Sequence, residues 1–306
     1  MKLVLPVAGL GTRLQPVTYS THKSLLPIGE KVIMQHLVDL VRETQHLDLS
    51  EIIFITGKHR QQIEEWARKT YTDIPLRFID QHITNGSADA IRLAEKHVQE
   101  DMLIIFPDAL IDTDLEVVAE LRETVDGIIW TAEVDHPERF GVVETDEEGY
   151  MMRLEEKPEE PKTNLVNIGM YYIKDYKSAF SMISALYERE IQAKGEYNFP
   201  EALDLMARNG KKIRSIQVEG WYDCGTRENI LRTNKLFTER MGIESNSTIH
   251  PGAVIENSTL FNCIVLENAR IHDSDLSNSI IGPKSIIKKF SGTLFVGSNS
   301  HIQGNK

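Results

Sequence analysis

Leu3-Val4-Leu5-Pro6-Val7-Ala8-Gly9-Leu10-Gly11-Thr12-Arg13-Leu14 is the stretch on which the fold turns. A short apolar run with β-branched residues reads as a buried strand, and the two glycines mark the sharp turn that ends it. Glycine lets backbone N–H groups come close to a ligand, and an arginine at the mouth of such a turn is a ready phosphate partner. A lone G-x-G also arises for steric reasons wherever a strand meets a helix. Here Pro16, Lys23 and Leu25-Leu26-Pro27-Ile28 follow in one short stretch, which favours the ligand reading. Two familiar phosphate loops are excluded. No Lys-Ser or Lys-Thr follows a suitably spaced glycine, so this is not a P-loop. Leu14 stands where a dinucleotide fingerprint needs its third Gly or Ala, although Glu30 lies about 20 residues on, where a ribose-binding acid belongs.

Strands and helices alternate through the first half. Residues 51–56 (EIIFIT), 76–80 (LRFID) and 102–106 (MLIIF) read as strands, with helical stretches over 32–47, 60–69 and 88–98 between them. Such alternation predicts an α/β fold with a doubly wound, parallel sheet. Ligands of such sheets bind beyond the carboxyl ends of the strands, where the Gly9–Arg13 turn and Asp108 both fall. The chain has 306 residues, enough for one large domain and a small one. Its formal net charge of −12 argues against nucleic-acid binding, which leaves a basic footprint. An acidic protein that holds phosphates must gather cations locally, which singles out Arg13, Lys23 and Lys157. Cys224 and Cys263 are the two cysteines, in keeping with a reducing compartment. No signal peptide or membrane-length apolar run is visible, so the cytoplasm is the expected location.

Four further segments carry chemistry. Phe106-Pro107-Asp108 puts a carboxylate just past a buried strand, where it suits Mg²⁺ over a nucleotide's phosphates or caps a following helix. In Trp221-Tyr222-Asp223-Cys224-Gly225-Thr226, Asp223 is either a second metal ligand or a cap for the helix after it. Asp80-Gln81-His82-Ile83-Thr84-Asn85-Gly86-Ser87 offers an amide that both donates and accepts, or else a surface loop capped by Ser87. Residues 138–143 and 151–155 alternate as an antiparallel hairpin turning at 146–149, and Glu155-Glu156-Lys157-Pro158 then follows.

These motifs together resemble the sugar-1-phosphate nucleotidyltransferases. Gly9-Leu10-Gly11-Thr12-Arg13-Leu14-Gln15-Pro16 with Lys23-Ser24-Leu25-Leu26-Pro27 is similar to their signature, in the shorter G-x-G-T-R form, and the likeness runs to about residue 240. It implies a Rossmann-like mixed sheet and a catalytic domain over 1–241. It implies nucleotide contacts from Val7, Gly9, Leu10, Gly11 and Thr12, with base reading by Gln81 and Gly86. Arg13, Lys23 and Lys157 become the catalytic cations, and Asp108 and Asp223 the Mg²⁺ ligands. Gly141, Glu156, Asn167 and Gly169 become the sugar subsite. The implied substrates are an NTP, dTTP or UTP first, and a hexose-1-phosphate, glucose-1-phosphate first. Mannose-1-phosphate guanylyl transfer and a non-catalytic nucleotide-sugar-binding subunit remain alternatives.

After residue 241 the composition changes. Ile249, Ile255 and Ile281 head segments in which an aliphatic residue returns about every six, similar to the hexapeptide repeats of left-handed parallel β-helices. The expectation is a domain over 242–306 of about three coils, roughly 18 residues each. As an acetyltransferase this tail is short, with His250, His272 and His301 as its histidines. An open coil stack exposes backbone edges, so a homo-oligomer, dimer or tetramer, is expected, joined through the apolar residues of Gly292–Gly297.

Overall fold

A computed structural model describes every residue except Thr84, Lys194 and Lys306. Thr84 of the Asp80–Ser87 stretch therefore lies outside the described residues. In chain order the strands are β1 (Lys2–Val7), β2 (Pro27–Ile28), β3 (Lys31–Val32), β4 (Glu51–Thr56), β5 (Leu76–Asp80), β6 (Met102–Ile105), β7 (Ala109–Asp112), β8 (Gly127–Glu133), β9 (Gly141–Thr145), β10 (Met151–Glu156), β11 (Leu165–Ile173), β12 (Ile213–Gln217) and β13 (Gly220–Asp223), before a run of short strands from Thr248 to Gln303. The helices are α1 (Ile33–Glu43), α2 (Arg60–Thr70), α3 (Ser87–Arg92), α4 (Glu116–Leu121), α5 (Tyr176–Glu188), α6 (Phe199–Arg208) and α7 (Arg227–Arg240). No helix among the described residues is long and apolar enough to cross a membrane.

Contacts group Met1–Gly9, Leu37–Pro107 and Ile111–Trp221 into one compact unit, and Leu10–His36, Asp108–Leu110 and Tyr222–Lys306 into another. The first unit holds a nine-stranded sheet ordered β10-β9-β11-β6-β1-β4-β5, with β8 beside β11 and β12 beside β8. β1 pairs parallel with β4 and β6, and β4 with β5. β11 runs antiparallel to β6 and β8, and β9 and β10 form an antiparallel hairpin. The sheet is therefore mixed, and its parallel part reverses direction of winding at β1. All of β4 is buried, as a strand covered on both faces must be. Ile53, Ile104, Tyr171, Phe180, Phe199 and Leu203 belong to its core.

Some expected boundaries shift. The helix expected over 88–98 stops at Arg92, where Leu93 and Ala94 donate back three residues and tighten the chain into a 3₁₀ turn at Glu95–His97. The helix expected over 32–47 spans Ile33–Glu43. Pro137–Arg139 forms a 3₁₀ turn, so the hairpin begins only at Gly141. The Arg139 and Phe140 N–H groups donate back to the His136 and Pro137 carbonyls, at 3.4 and 3.0 Å, and so close a turn instead of joining the ladder.

In the second unit, Asn234 of α7 is fully buried and ties three segments together. Its Oδ1 accepts from the Gly29 N–H (3.2 Å) and the Thr248 hydroxyl (2.7 Å), and its Nδ2 donates to the Asn246 carbonyl (3.1 Å). The strands beyond it stack in parallel as coils, consistent with a β-helix. The coil is shorter than expected. Thr248, Ile264 and Ile280 stand in register, as do Val254, Arg270 and Ile286, so these coils lie 16 residues apart rather than 18, and the last step, from Ile280 to Phe295 and from Ile286 to His301, is 15. Corners explain the difference. Asn246, Asn262 and Asn278 share one corner, Asn257, Asp273 and Lys289 another, and Asn268, Lys284 and Asn299 the third, all with positive φ. A left-handed residue turns the chain within one position, and asparagine tolerates that state best among non-glycines. Asn262 also donates to Asn278 of the next coil at 2.7 Å. The end stretch is not free apolar surface: Leu294 and Val296 pack on the tail's own core, and the Arg227 guanidinium lies 5.7 Å over the Phe295 ring.

Candidate active site

Val7 closes β1, and the chain then enters the glycine turn. Gly11 adopts φ 61°, its carbonyl accepts from the Thr18 hydroxyl at 2.8 Å, and Thr12–Leu14 follow as a 3₁₀ turn carrying Arg13. Leu10 is half exposed and Arg13 is exposed. Lys23 sits in a second 3₁₀ turn with its side chain largely buried, and its ammonium meets the Asp108 carboxylate. Asp108 is followed by β7, not by a helix, so the capping alternative for it falls away. Its carbonyl accepts the Cys224 N–H at 2.9 Å, which sets Asp223 one residue from Asp108's backbone partner. Asp223 does not cap α7 either: Thr226 accepts the Asn229 N–H at 3.2 Å and does so instead. The Asp223 carboxylate accepts from the Gly225 N–H at 2.7 Å and from the Asn229 amide.

This donor set fits Mg²⁺. Asp108 already takes one cation, the Lys23 ammonium, and both aspartates offer only hard oxygens. Among the described residues no group of three or more metal-ligating side chains exists, so these two carboxylates would need substrate phosphates to complete a shell, the usual Mg²⁺ arrangement. Burial pushes the thiol of Cys224, the residue after Asp223, up to about 12, which leaves it no thiolate for nucleophilic chemistry.

The first unit holds the other predicted residues in two groups. Gly141 pairs with Glu156 across the hairpin, and a Cβ on Gly141 would stand 3.1 Å from Glu156 Oε2. Lys157 leaves β10 with φ 50°, a costly conformation for a lysine, and its ammonium lies 2.6 Å from Glu156 Oε1. Its N–H is anchored on the Phe140 carbonyl at 2.9 Å, and Phe140 packs edge-on against Trp221 at 5.3 Å. Asn167 donates to the Tyr171 hydroxyl at 2.6 Å and accepts the Gly169 N–H at 2.9 Å. Gly169, at φ 79°, makes the irregularity in β11 that lets its carbonyl accept the Phe106 N–H at 2.9 Å.

Sequence reasoning missed Glu201. It lies in the first turn of α6, the helix whose Asp204 accepts the Leu154 N–H of β10 at 2.9 Å. Burial, with Glu156 and Asp204 nearby, raises its carboxyl to about 7, Lys157 pulling the other way. Its Oε2 and the Trp221 Nε1 are buried without a hydrogen-bond partner among the described residues. A glutamate three residues after Asn198 at the head of a helix looks like ordinary capping in sequence, and only packing shows otherwise.

The second group surrounds Gln81, which is 8% exposed and whose backbone N–H donates to the Thr56 carbonyl at 2.7 Å. Gly86, at φ 100°, is the N-cap of α3, and a Cβ there would fall 2.1 Å from the Tyr197 carbonyl oxygen. No other residue fits. Ser87 is therefore the first helical residue rather than the cap, and its hydroxyl accepts the Phe199 N–H at 2.9 Å.

Residues 2–240 match the nucleotidyl transferase family profile. A UTP–glucose-1-phosphate uridylyltransferase, AglF of Haloferax volcanii, is 31% identical over 72% of this chain and 89% of its own. The bifunctional protein GlmU of Methanocaldococcus jannaschii is 30% identical over 85% of this chain, which spans only 60% of that protein's length. A UDP-glucose pyrophosphorylase solved with UDP-glucose shares the fold at TM-score 0.69 and 24% identity, over 78% of this chain and 98% of its own. With this glycine turn, this aspartate pair and this mixed Rossmann-like sheet, the chain belongs to the nucleotidyl transferase family.

Proposed function

We propose that the protein joins an NTP, dTTP or UTP in preference, to a hexose-1-phosphate, glucose-1-phosphate first, giving an NDP-sugar and pyrophosphate. The observation that carries this reading is the Lys23–Asp108 pair beside Asp223, a cation-and-carboxylate cluster at the end of the glycine turn. A sugar-phosphate oxygen attacks the α-phosphorus as the bond to the β-phosphate oxygen breaks in line. The nucleophile is already anionic, so no general base is needed, and catalysis is positioning plus charge neutralisation. Arg13 and Lys23 offset the charge on the leaving pyrophosphate. Lys157 holds the incoming phosphate, and Glu156, Asn167 and the backbone at Gly141 and Gly169 hold the sugar. Asp108 and Asp223 would hold Mg²⁺, which supplies charge compensation for the triphosphate when bound.

Residues 1–241 carry this chemistry in our reading, and 242–306 form a left-handed coil domain for homo-oligomer assembly in the cytoplasm. The test is one matrix of five NTPs against glucose-, mannose- and N-acetylglucosamine-1-phosphate, read by pyrophosphate release with and without EDTA. Turnover with UTP or dTTP that EDTA abolishes is expected. Asp108→Asn or Asp223→Asn should then cost about 10²-fold in kcat, as loss of one preorganised charge contact does. Arg13→Ala should lower kcat, whereas Lys157→Ala should mainly raise the sugar-phosphate KM. Best turnover with GTP and mannose-1-phosphate would move the protein to guanylyl transfer, and EDTA-resistant turnover would remove the metal.

A further inference from the structure

Gln81 does not present both ends of its amide equally. Its Nε2 donates to Asp89 Oδ2 at 3.2 Å. Asp89, in the first turn of α3, is itself held from the other side. The Tyr187 hydroxyl donates to Oδ1 at 2.8 Å, and an Arg92 guanidinium nitrogen lies 3.3 Å from the same oxygen. Arg92 sits 4.4 Å over the Tyr187 ring, and Tyr187 stacks on Tyr197 at 4.0 Å, the residue against which Gly86 is packed. A carboxylate only accepts hydrogen bonds, so the amide NH₂ must face Asp89 and the amide carbonyl must face away from it. Among the described residues no donor engages Gln81 Oε1.

We propose that Asp89 is a positioning residue that fixes Gln81 as an acceptor, so that the site takes bases presenting a ring N–H and rejects those presenting a ring acceptor. Uracil and thymine carry an imide N–H at that edge, and guanine a lactam N–H. Cytosine and adenine carry an unprotonated ring nitrogen there, which would set acceptor against acceptor in a buried position. The proposal rests on Gln81 being the base contact of the nucleotidyl-transfer reading. It adds the group that decides the amide's polarity, and it makes pyrimidine size irrelevant to the choice between UTP and CTP.

Asp89→Asn tests it, because asparagine is nearly isosteric yet can donate, which frees Gln81 to turn over. The ratio of kcat/KM for UTP over CTP, with glucose-1-phosphate as acceptor, should be about 10²-fold or more in the parent chain and fall at least 10-fold in Asp89→Asn. Calorimetric Kd values for UTP and CTP alone should move in the same sense. Tyr187→Phe, which removes one donor from Asp89 without touching Gln81, should lower the ratio by a smaller factor and serves if Asp89→Asn does not fold. Equal losses for UTP and CTP in these variants would mean a merely structural Asp89 and overturn the proposal. So would a parent chain that turns over UTP and CTP alike. A parent chain that neither binds nor turns over any NTP would instead remove the nucleotidyl-transfer reading, and this inference with it.

Discussion

Glu201 shows what a single residue can report. Its carboxyl titrates near 7 in the folded chain against an ordinary value of 4.5, because burial and the neighbouring Glu156 and Asp204 disfavour its charge. A raised acid holds its proton more tightly folded than unfolded. Its favourable contribution is thus complete below about pH 4.5 and is lost as pH rises through 7. Glu201→Gln keeps the shape and removes the titration. Between pH 5 and 8 the parent should therefore lose about 1–3 kcal/mol relative to Glu201→Gln, read from urea midpoints at each pH. Parallel pH profiles for the two proteins would show that the carboxyl is solvated after all. The motif residues themselves were legible in the sequence, since Gly11, Lys23, Asp108, Lys157 and Asp223 are chemically conspicuous. Glu201 and Asp89 were not, because a carboxylate in a first helical turn looks the same whether it faces water or a pocket.

Among elements, the glycine turn and the coils of the second unit touch directly. A Cβ on Gly297 would lie 2.9 Å from the Pro16 carbonyl oxygen, and one on Gly282 would lie 2.4 Å from the Gly297 carbonyl carbon. The coils thus stack against the turn that carries Arg13 with no room for a side chain between them. Gly297→Val should push the Gly11–Pro16 segment aside and cut kcat by about 10-fold or more, since a displacement near 1 Å is costly for in-line transfer. Steady-state kinetics on a variant whose circular dichroism matches the parent would measure it. Undiminished kcat would mean that the turn holds its shape without the coil. The strands β4 and β5 were read correctly to the residue, because a continuous or bounded apolar run is a local signal. Helix ends and the coil length were not. Both depend on which carbonyl the next N–H finds, and at the coil corners on a left-handed state that composition does not announce.

At the scale of the molecule, apolar surface remains on the coils. Ile249, Val254 and Phe261 are each 40% exposed or more, whereas the Gly292–Gly297 stretch that the sequence suggested for assembly is packed within its own unit. Burying such residues between copies couples stability to protomer concentration. Light scattering at micromolar concentration should therefore find a dimer or tetramer, and Phe261→Glu should shift it toward monomer with turnover retained. A strict monomer would leave the exposed trio without an assembly role.

The family and the α/β alternation were legible in the sequence alone, as were the residues that our reading assigns to phosphate, metal and sugar. Those are encoded by residue type at short spacing, and short spacing survives without coordinates. What lies between comes from folding: that Lys23 meets Asp108, that the Gln81 amide donates to Asp89, that burial near Glu156 raises the Glu201 carboxyl to about 7, and that the coils rest on Pro16. Each joins positions far apart or on different elements, where polarity and pKa depend on burial and on neighbours that only folding supplies.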